Sequence, residues 1–250
     1  MDSDIKNKFI TLWKRYFTDT ELPITFYYTN KEDDGELVKS NSASRCIIGT
    51  LQSVRKGHSL CFSIDSIGCP GGRRYLGFTK EIMPDFEYFL SCGIAGKREG
   101  ERYKKSPELV KEFLTLLPAF KAPGEFIVFK RWDMLAESDN PDVVIFFAKP
   151  DVLSGLFTLA NFDEAEPNAV CAPFGSGCST IVQYPYSEKE SNRPRGVIGM
   201  FDISARPYVP QNILTFSVPI NKFMRMFENM EESFLLTKSW TNVEKRINLV

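Results

Sequence analysis

The chain has 250 residues, 43% of them hydrophobic and 25% charged, with 31 basic against 32 acidic side chains. That length holds one large domain or two small ones, and the even charge gives no basic field for nucleic acid or an anionic membrane. The acidic opening MDSDIKNKFITLWKRYF is unlike a secretory leader, and no run approaches the roughly 20 apolar residues of a membrane span.

Residues 3–18 set Ile5, Phe9, Leu12, Trp13, Tyr16 and Phe17 at helical spacing, with Asp2 or Ser3 able to cap the start. PITFYYT (23–29) is aromatic and β-branched and predicts a strand, followed by a polar loop, NKEDDGELVKSN. Ser42 to Val54 predicts a helix with Ser42 as cap, an Ile47, Ile48, Leu51 and Val54 stripe, and Gly57 at its stop. SLCFSI (59–64) predicts a strand, and DSIGCPGGRRYLGF a glycine turn. MPDFEYFLSCG predicts a helix with Pro84 in its first turn and Gly93 at its end, and SPELVKEFLTLL (106–117) another. Beyond Gly124, EFIVFKRW and DVVIFFA predict strands, and KPDVLSGLFTLANF a helix opened by Pro150. RGVIGMFDI and ILTFSVP predict strands, and PINKFMRMFENMEESFLLTKSW a helix broken near Met230.

Helices and strands mix without strict alternation, so the expected fold class is α+β. Residues 1–22 form an N-terminal helix, 23–123 a first α/β half and 124–250 a second, together one compact domain. The halves echo each other. Cys46 and Cys178 are each followed 28 residues later by an arginine, Arg74 and Arg206. Ile67-Gly68-Cys69 resembles Ile198-Gly199-Met200, and IMPDFEYF resembles SVPINKFMRMF. The bland alternative is coincidence. An internal repeat would set two similar halves about a shared cleft, with Cys46, Cys69 and Arg74 facing Cys178 and Arg206.

Six cysteines (Cys46, Cys61, Cys69, Cys92, Cys171, Cys178) form no Cys-x-x-Cys pair, which disfavours a zinc ribbon or a thioredoxin-type dithiol. Free thiols in a reducing, cytoplasmic setting are expected. Cys69, Gly71, Gly72, Arg73 and Arg74 combine a thiol, a turn whose amides can point one way, and forked donors for carboxylate or phosphate. Two guanidinium groups beside Cys69 would favour its thiolate. The competing reading is a tight turn with two surface arginines. Gly175, Gly177, Cys178 and Ser179 form a second candidate cradle for a negative group; the competing reading is an ordinary helix cap. The lysine of a P-loop is absent there. His58, the only histidine, falls in a predicted turn, which excludes a multi-histidine metal site. Cys61 and Cys92 read as buried small hydrophobes, and Met200, Met224, Met226 and Met230 as core filling. Asp65 and Asp202 are carboxylate candidates at strand ends, with salt bridge or turn cap as the competing role.

RCIIGTL, DSIGCPGGRRYLGF, VVIFFAKPDVLSGLF, FGSGCSTIVQYP and IGMFDISARPYVP together resemble the ArCR-type family of unknown function (domain of unknown function 169), from about residue 20 to about residue 240. The resemblance brings no established activity. It implies metal or iron–sulfur binding through cysteines, with Cys46, Cys69 and Cys178 matching cysteine positions of the pattern. Relatives often carry another cysteine where this chain has Met200, a departure that weakens a four-thiolate cluster but leaves three cysteines plus an outside ligand.

The leading expectation is therefore a binding protein for an anionic small molecule or cofactor, using Cys69, Gly71, Gly72, Arg73, Arg74, Gly175, Gly177, Cys178, Ser179 and Arg206. The alternatives are an iron–sulfur cluster or other metal held by Cys46, Cys69 and Cys178, and a thiol enzyme with Cys69 or Cys178 as nucleophile. A purely structural role for Arg74 and Cys178 is a fourth reading. No nucleic-acid or membrane partner is expected; the aromatic content would allow a homodimer.

Overall fold

The computed structural model describes residues 1–18, 20–39, 46–118 and 120–247. Asp2 Oδ1 accepts from the Asp4 and Ile5 amides and caps α1 (Ser3–Tyr16), which buries Phe9, Leu12, Trp13 and Tyr16. β1 (Ile24–Thr29) follows. The stretch expected as loop contains a short 3-10 turn and an edge strand, β2 (Glu36–Leu37). In α2 (Ile47–Arg55) the apolar stripe is buried as its spacing predicts. Its cap residue is Cys46, and the expected cap, Ser42, lies outside the described residues.

β3 (Leu60–Ser63) leads into α3 (Pro70–Tyr75), so the expected glycine turn is a short helix. Pro70 supplies a helical φ at the first position, and Gly72 packs so closely on Ile67 that a side chain would not fit. The MPDFEYFLSCG helix shrinks to α4 (Phe86–Phe89), because Asp85 takes φ 60°, outside the helical region. Next come α5 (Pro107–Leu116), capped by Ser106, and β4 (Phe126–Arg131). The second half runs β5 (Val143–Ala148), α6 (Pro150–Asn161), β6 (Val170–Cys171), a π-helical turn (Ser179–Gln183), α7 (Tyr184–Glu188) and β7 (Gly196–Gly199). Pro185 has no N–H to return to Ile181, and the widened turn before it accommodates its ring. β8 (Leu214–Pro219), α8 (Ile220–Glu228) and α9 (Lys238–Ile247) complete the chain, with 3-10 turns between the last two helices.

This is a mixed α/β fold built on one eight-stranded mixed sheet, in the order β2-β3-β4-β1-β5-β8-β7-β6. From one edge the order runs β2-β3-β4-β1 and from the other β6-β7-β8-β5, so β5–β8 take the places of β1–β4 in order. Each edge pair, β2 with β3 and β6 with β7, is parallel, and every other neighbouring pair is antiparallel. At the centre β1 meets β5 through Ile24↔Ile145, Thr25↔Val144 and Phe26↔Val143. Side chains alternate across the sheet. Val143, Ile145 and Phe147 join Ile24 and Phe26 against α2 and the π-helical turn, while Val144, Phe146 and Ala148 pack on α1, α6 and α8.

The residue matches expected between the halves do not all follow the sheet. Ile198-Gly199 lies inside β7, whereas Ile67-Gly68 lies beyond the end of β3. IMPDFEYF falls between β3 and β4, whereas SVPINKF spans the end of β8 and the start of α8. Among the described residues no helix is long and apolar enough to cross a membrane.

Candidate functional site

On the sheet face that carries α2 and the π-helical turn, the residues following β3 and β7 bound a pocket of about 420 Å³. That size is ordinary for a small-molecule site. One wall is the start of α2 (Cys46, Ile48) and α3 with its cap (Cys69, Pro70, Gly71, Gly72, Arg74, Tyr75). The second wall comes from the other half: Pro173 to Cys178, Thr180, and Phe201 to Ala205. The third is the excursion between α3 and α5 together with α5 itself, through Glu81, Ile82, Met83, Phe86, Phe89, Leu90, Glu101, Tyr103 and Phe113.

The pocket brings together Cys46, Cys69, Gly71, Gly72, Arg74, Gly175, Gly177 and Cys178, but not Arg73, Ser179 or Arg206. Each of those three is engaged elsewhere. Arg206 closes the loop after β7 by donating to four carbonyls: Nη1 to Met200 and Ile213, Nη2 to Pro210 and Gln211. Arg73 Nε donates to the Ile67 carbonyl. Ser179 is buried and bonds Ser176 twice, its amide donating to Ser176 Oγ and its hydroxyl to the Ser176 carbonyl.

The glycine cradle at Gly175–Gly177 already faces an anion of the chain's own. Asp202 Oδ2 accepts from the Gly177 amide at 2.9 Å, and Oδ1 from the Ser204 amide and hydroxyl at 2.9 and 2.7 Å. The cradle is thus a capped helix start, the competing reading of that stretch. Asp65 and His58 are exposed and lie outside the pocket. Cys61 is buried on β3, but Cys92 is exposed, contrary to its reading as a core residue. Met200, Met226 and Met230 do fill the core.

Cys46 and Cys69 immediately precede helices, and Cys178 immediately precedes the π-helical turn, so three thiols from distant parts of the chain share one cavity. Burial pushes the Cys178 thiol well above its ordinary value, with the charges of Cys46, Cys69 and Asp202 adding. Burial also raises Cys46, opposed by the amides of Ile48 and Gly49. Both are held as neutral thiols at neutral pH, which removes Cys178 as a ready nucleophile. The Arg73 and Arg74 guanidinium groups donate to the Ile67 and Lys80 carbonyls. Among the described residues no group of three or more His, Cys, Asp and Glu side chains is disposed to hold a metal ion, the Cys46, Cys69 and Cys178 set included.

The excursion supplies residues that sequence reasoning missed. It brings Glu81, Glu101 and three of the rings, Phe86, Phe89 and Tyr103; its sequence signal was FEYF, read as part of a longer helix. Tyr103 is pushed up to about 12, by burial first, then by its hydrogen bond to Glu101 and the charges of Glu101 and Asp202. Lys104 Nζ sits 4.8 Å from the Phe113 ring centre and 4.2 Å from that of Phe174, and these rings meet edge to face at 5.4 Å. This contact ties the excursion and α5 to the second half across the pocket rim.

A family model for domain of unknown function 169, described as Uncharacterised ArCR, matches residues 16–229. No curated protein and no solved structure matches the chain.

Proposed function

We propose that this chain, which belongs to the Uncharacterised ArCR family, is a small-molecule-binding protein whose site is the pocket between α3, the π-helical turn and the excursion. One observation carries the reading: a cavity of about 420 Å³ whose walls come from both halves of the chain and are mainly apolar. Such a concavity, with a few polar groups around an apolar interior, is the usual form of a ligand site.

We further propose that the two halves are copies of one unit, β–β–helix–β–helix–β. The symmetric strand order supports this, as do the equal six-residue pairings of β1 with β4 and of β5 with β8. The copies then run β1–β4 and β5–β8, so Phe126–Arg131 belongs to the first copy instead of opening the second. The second copy also carries α6 between β5 and β6, where the first has only a short 3-10 turn, and the copies differ again where the pocket is. Residues 76–125 intervene between α3 and β4, whereas residues 209–213 alone join Tyr208 to β8. The third wall is therefore an addition to one copy, and it makes the site single.

The anionic ligand expected from the arginines is not carried into this reading. Arg206 and Arg73 are engaged with carbonyls, and the glycine cradle with Asp202. The metal reading lacks a ligand cluster among the described residues.

The test uses N-phenyl-1-naphthylamine, an uncharged dye that brightens in apolar surroundings. A Cβ at Gly71 would meet Tyr75 at 3.5 Å and the Cys69 sulfur at 3.8 Å, ordinary contacts, so a larger side chain there fills the pocket without displacing backbone. The wild-type chain should bind one dye saturably, and Gly71→Phe should weaken it by roughly tenfold or more while leaving the thermal melt in place. Equal dye binding by a folded Gly71→Phe variant overturns the assignment.

A further inference from the structure

The charge and ring content of the pocket point to its ligand class, an inference that rests on the small-molecule reading above. Three carboxylates, Glu81, Glu101 and Asp202, line the cavity, and Arg74 is the one basic side chain among the described lining residues. Arg74 keeps its charge, with Nη1 donating to the Lys80 carbonyl and a buried Nε that has no hydrogen-bond partner among the described residues, so carboxylates outnumber it three to one in the lining. Aromatic rings from all three walls line the same cavity, among them Tyr75, Phe86, Phe113 and Phe174. An aromatic face is electron-rich and attracts cations, best when the cation is poorly hydrated. The chain itself demonstrates the seat: the Lys104 ammonium lies over Phe113 and Phe174 at the rim.

We propose that the pocket binds an apolar organic cation, such as an aryl or alkyl ammonium, with its charge balanced by Glu81 and Glu101 and its body held by the rings. Asp202 adds negative potential from a fixed position, because its oxygens are anchored on Gly177 and Ser204. An organic anion of the same shape meets that field with the wrong sign. Lys104 competes for the same ring faces, so its removal should help a cation and not a neutral molecule.

Two matched probes test the charge: benzyltrimethylammonium and phenylmethanesulfonate, each titrated as a competitor of N-phenyl-1-naphthylamine on the full chain. The cation should displace the dye at a concentration roughly tenfold lower than the anion. Glu81→Gln with Glu101→Gln should shrink that ratio to about threefold or less, and Lys104→Met should widen it. Dye binding with no preference, or with a preference for the sulfonate, overturns the cation assignment alone. A preference that survives the double glutamine variant overturns the role of the two glutamates. Failure of the dye to bind overturns the pocket reading beneath both.

Discussion

Cys69 and Cys178 share one cavity but differ in access: Cys69 is exposed, whereas Cys178 is buried and its thiol is pushed well up. Iodoacetamide at neutral pH should therefore modify Cys69 and Cys92 first, and Cys178 and Cys61 only on unfolding, read by mass spectrometry of peptides. Rapid modification of Cys178 in the folded chain would contradict its placement. The same burial has a pH consequence. Cys61 is pushed up from 9.0 to about 11, chiefly by burial. A thiol raised on folding adds stability that is complete below its unfolded value and is lost as pH climbs through the folded one. The melting temperature should thus fall between pH 9 and about 11, and Cys61→Ala should flatten that part of the profile. At this scale the sequence showed which residues had chemistry to offer, but not what already engaged it. Nothing in SARPYVPQNI announces that Arg206 faces four carbonyls, or in GSGCS that Asp202, far along the chain, caps that loop.

The Arg206 clamp fixes the connection from β7 to β8, and with it the pocket wall at Phe201–Ala205. Arg206→Met leaves those carbonyls without their donor and should cost about 1–3 kcal/mol in urea unfolding, the lower part of that range if water replaces the two exposed bonds. Arg206→Lys should recover little, since one ammonium cannot reproduce the fork. A loss below about 0.5 kcal/mol would show that the loop is held by its apolar contacts instead. Elements with a clear period were legible: α1, α5 and β5 fall where the spacing of Phe9, Val110 and Ile145 puts them. Misreadings have local causes. CPGGRRY looks like a turn because glycine permits one, yet Pro70 and the tight seat of Gly72 on Ile67 make it helical. β2 and β6 are two-residue edge strands, too short to carry an alternating pattern, and they exist because β3 and β7 offer an open edge.

Across the whole molecule, the sheet supplies the frame, and the excursion from Thr79 to Lys105 adds much of the pocket's third wall. The mixture of helices and strands was readable from sequence. The continuous sheet was not, since the pairing of β1 with β5 joins strands more than a hundred residues apart. Nor could spacing reveal that Phe86 and Phe89 line the same pocket as Cys69, because the segment between carries no period. A second apolar groove, lined by Pro150, Leu153, Phe157, Ile198 and Leu214, lies apart from the pocket and offers an independent place for an apolar molecule to settle. The most direct measurement is a backbone NMR titration of the full chain with N-phenyl-1-naphthylamine. The account predicts that the amide shifts concentrate on Cys69, Gly71, Phe86, Phe174 and Cys178; shifts centred on Leu153, Phe157 and Leu214, with the pocket amides silent, would contradict it.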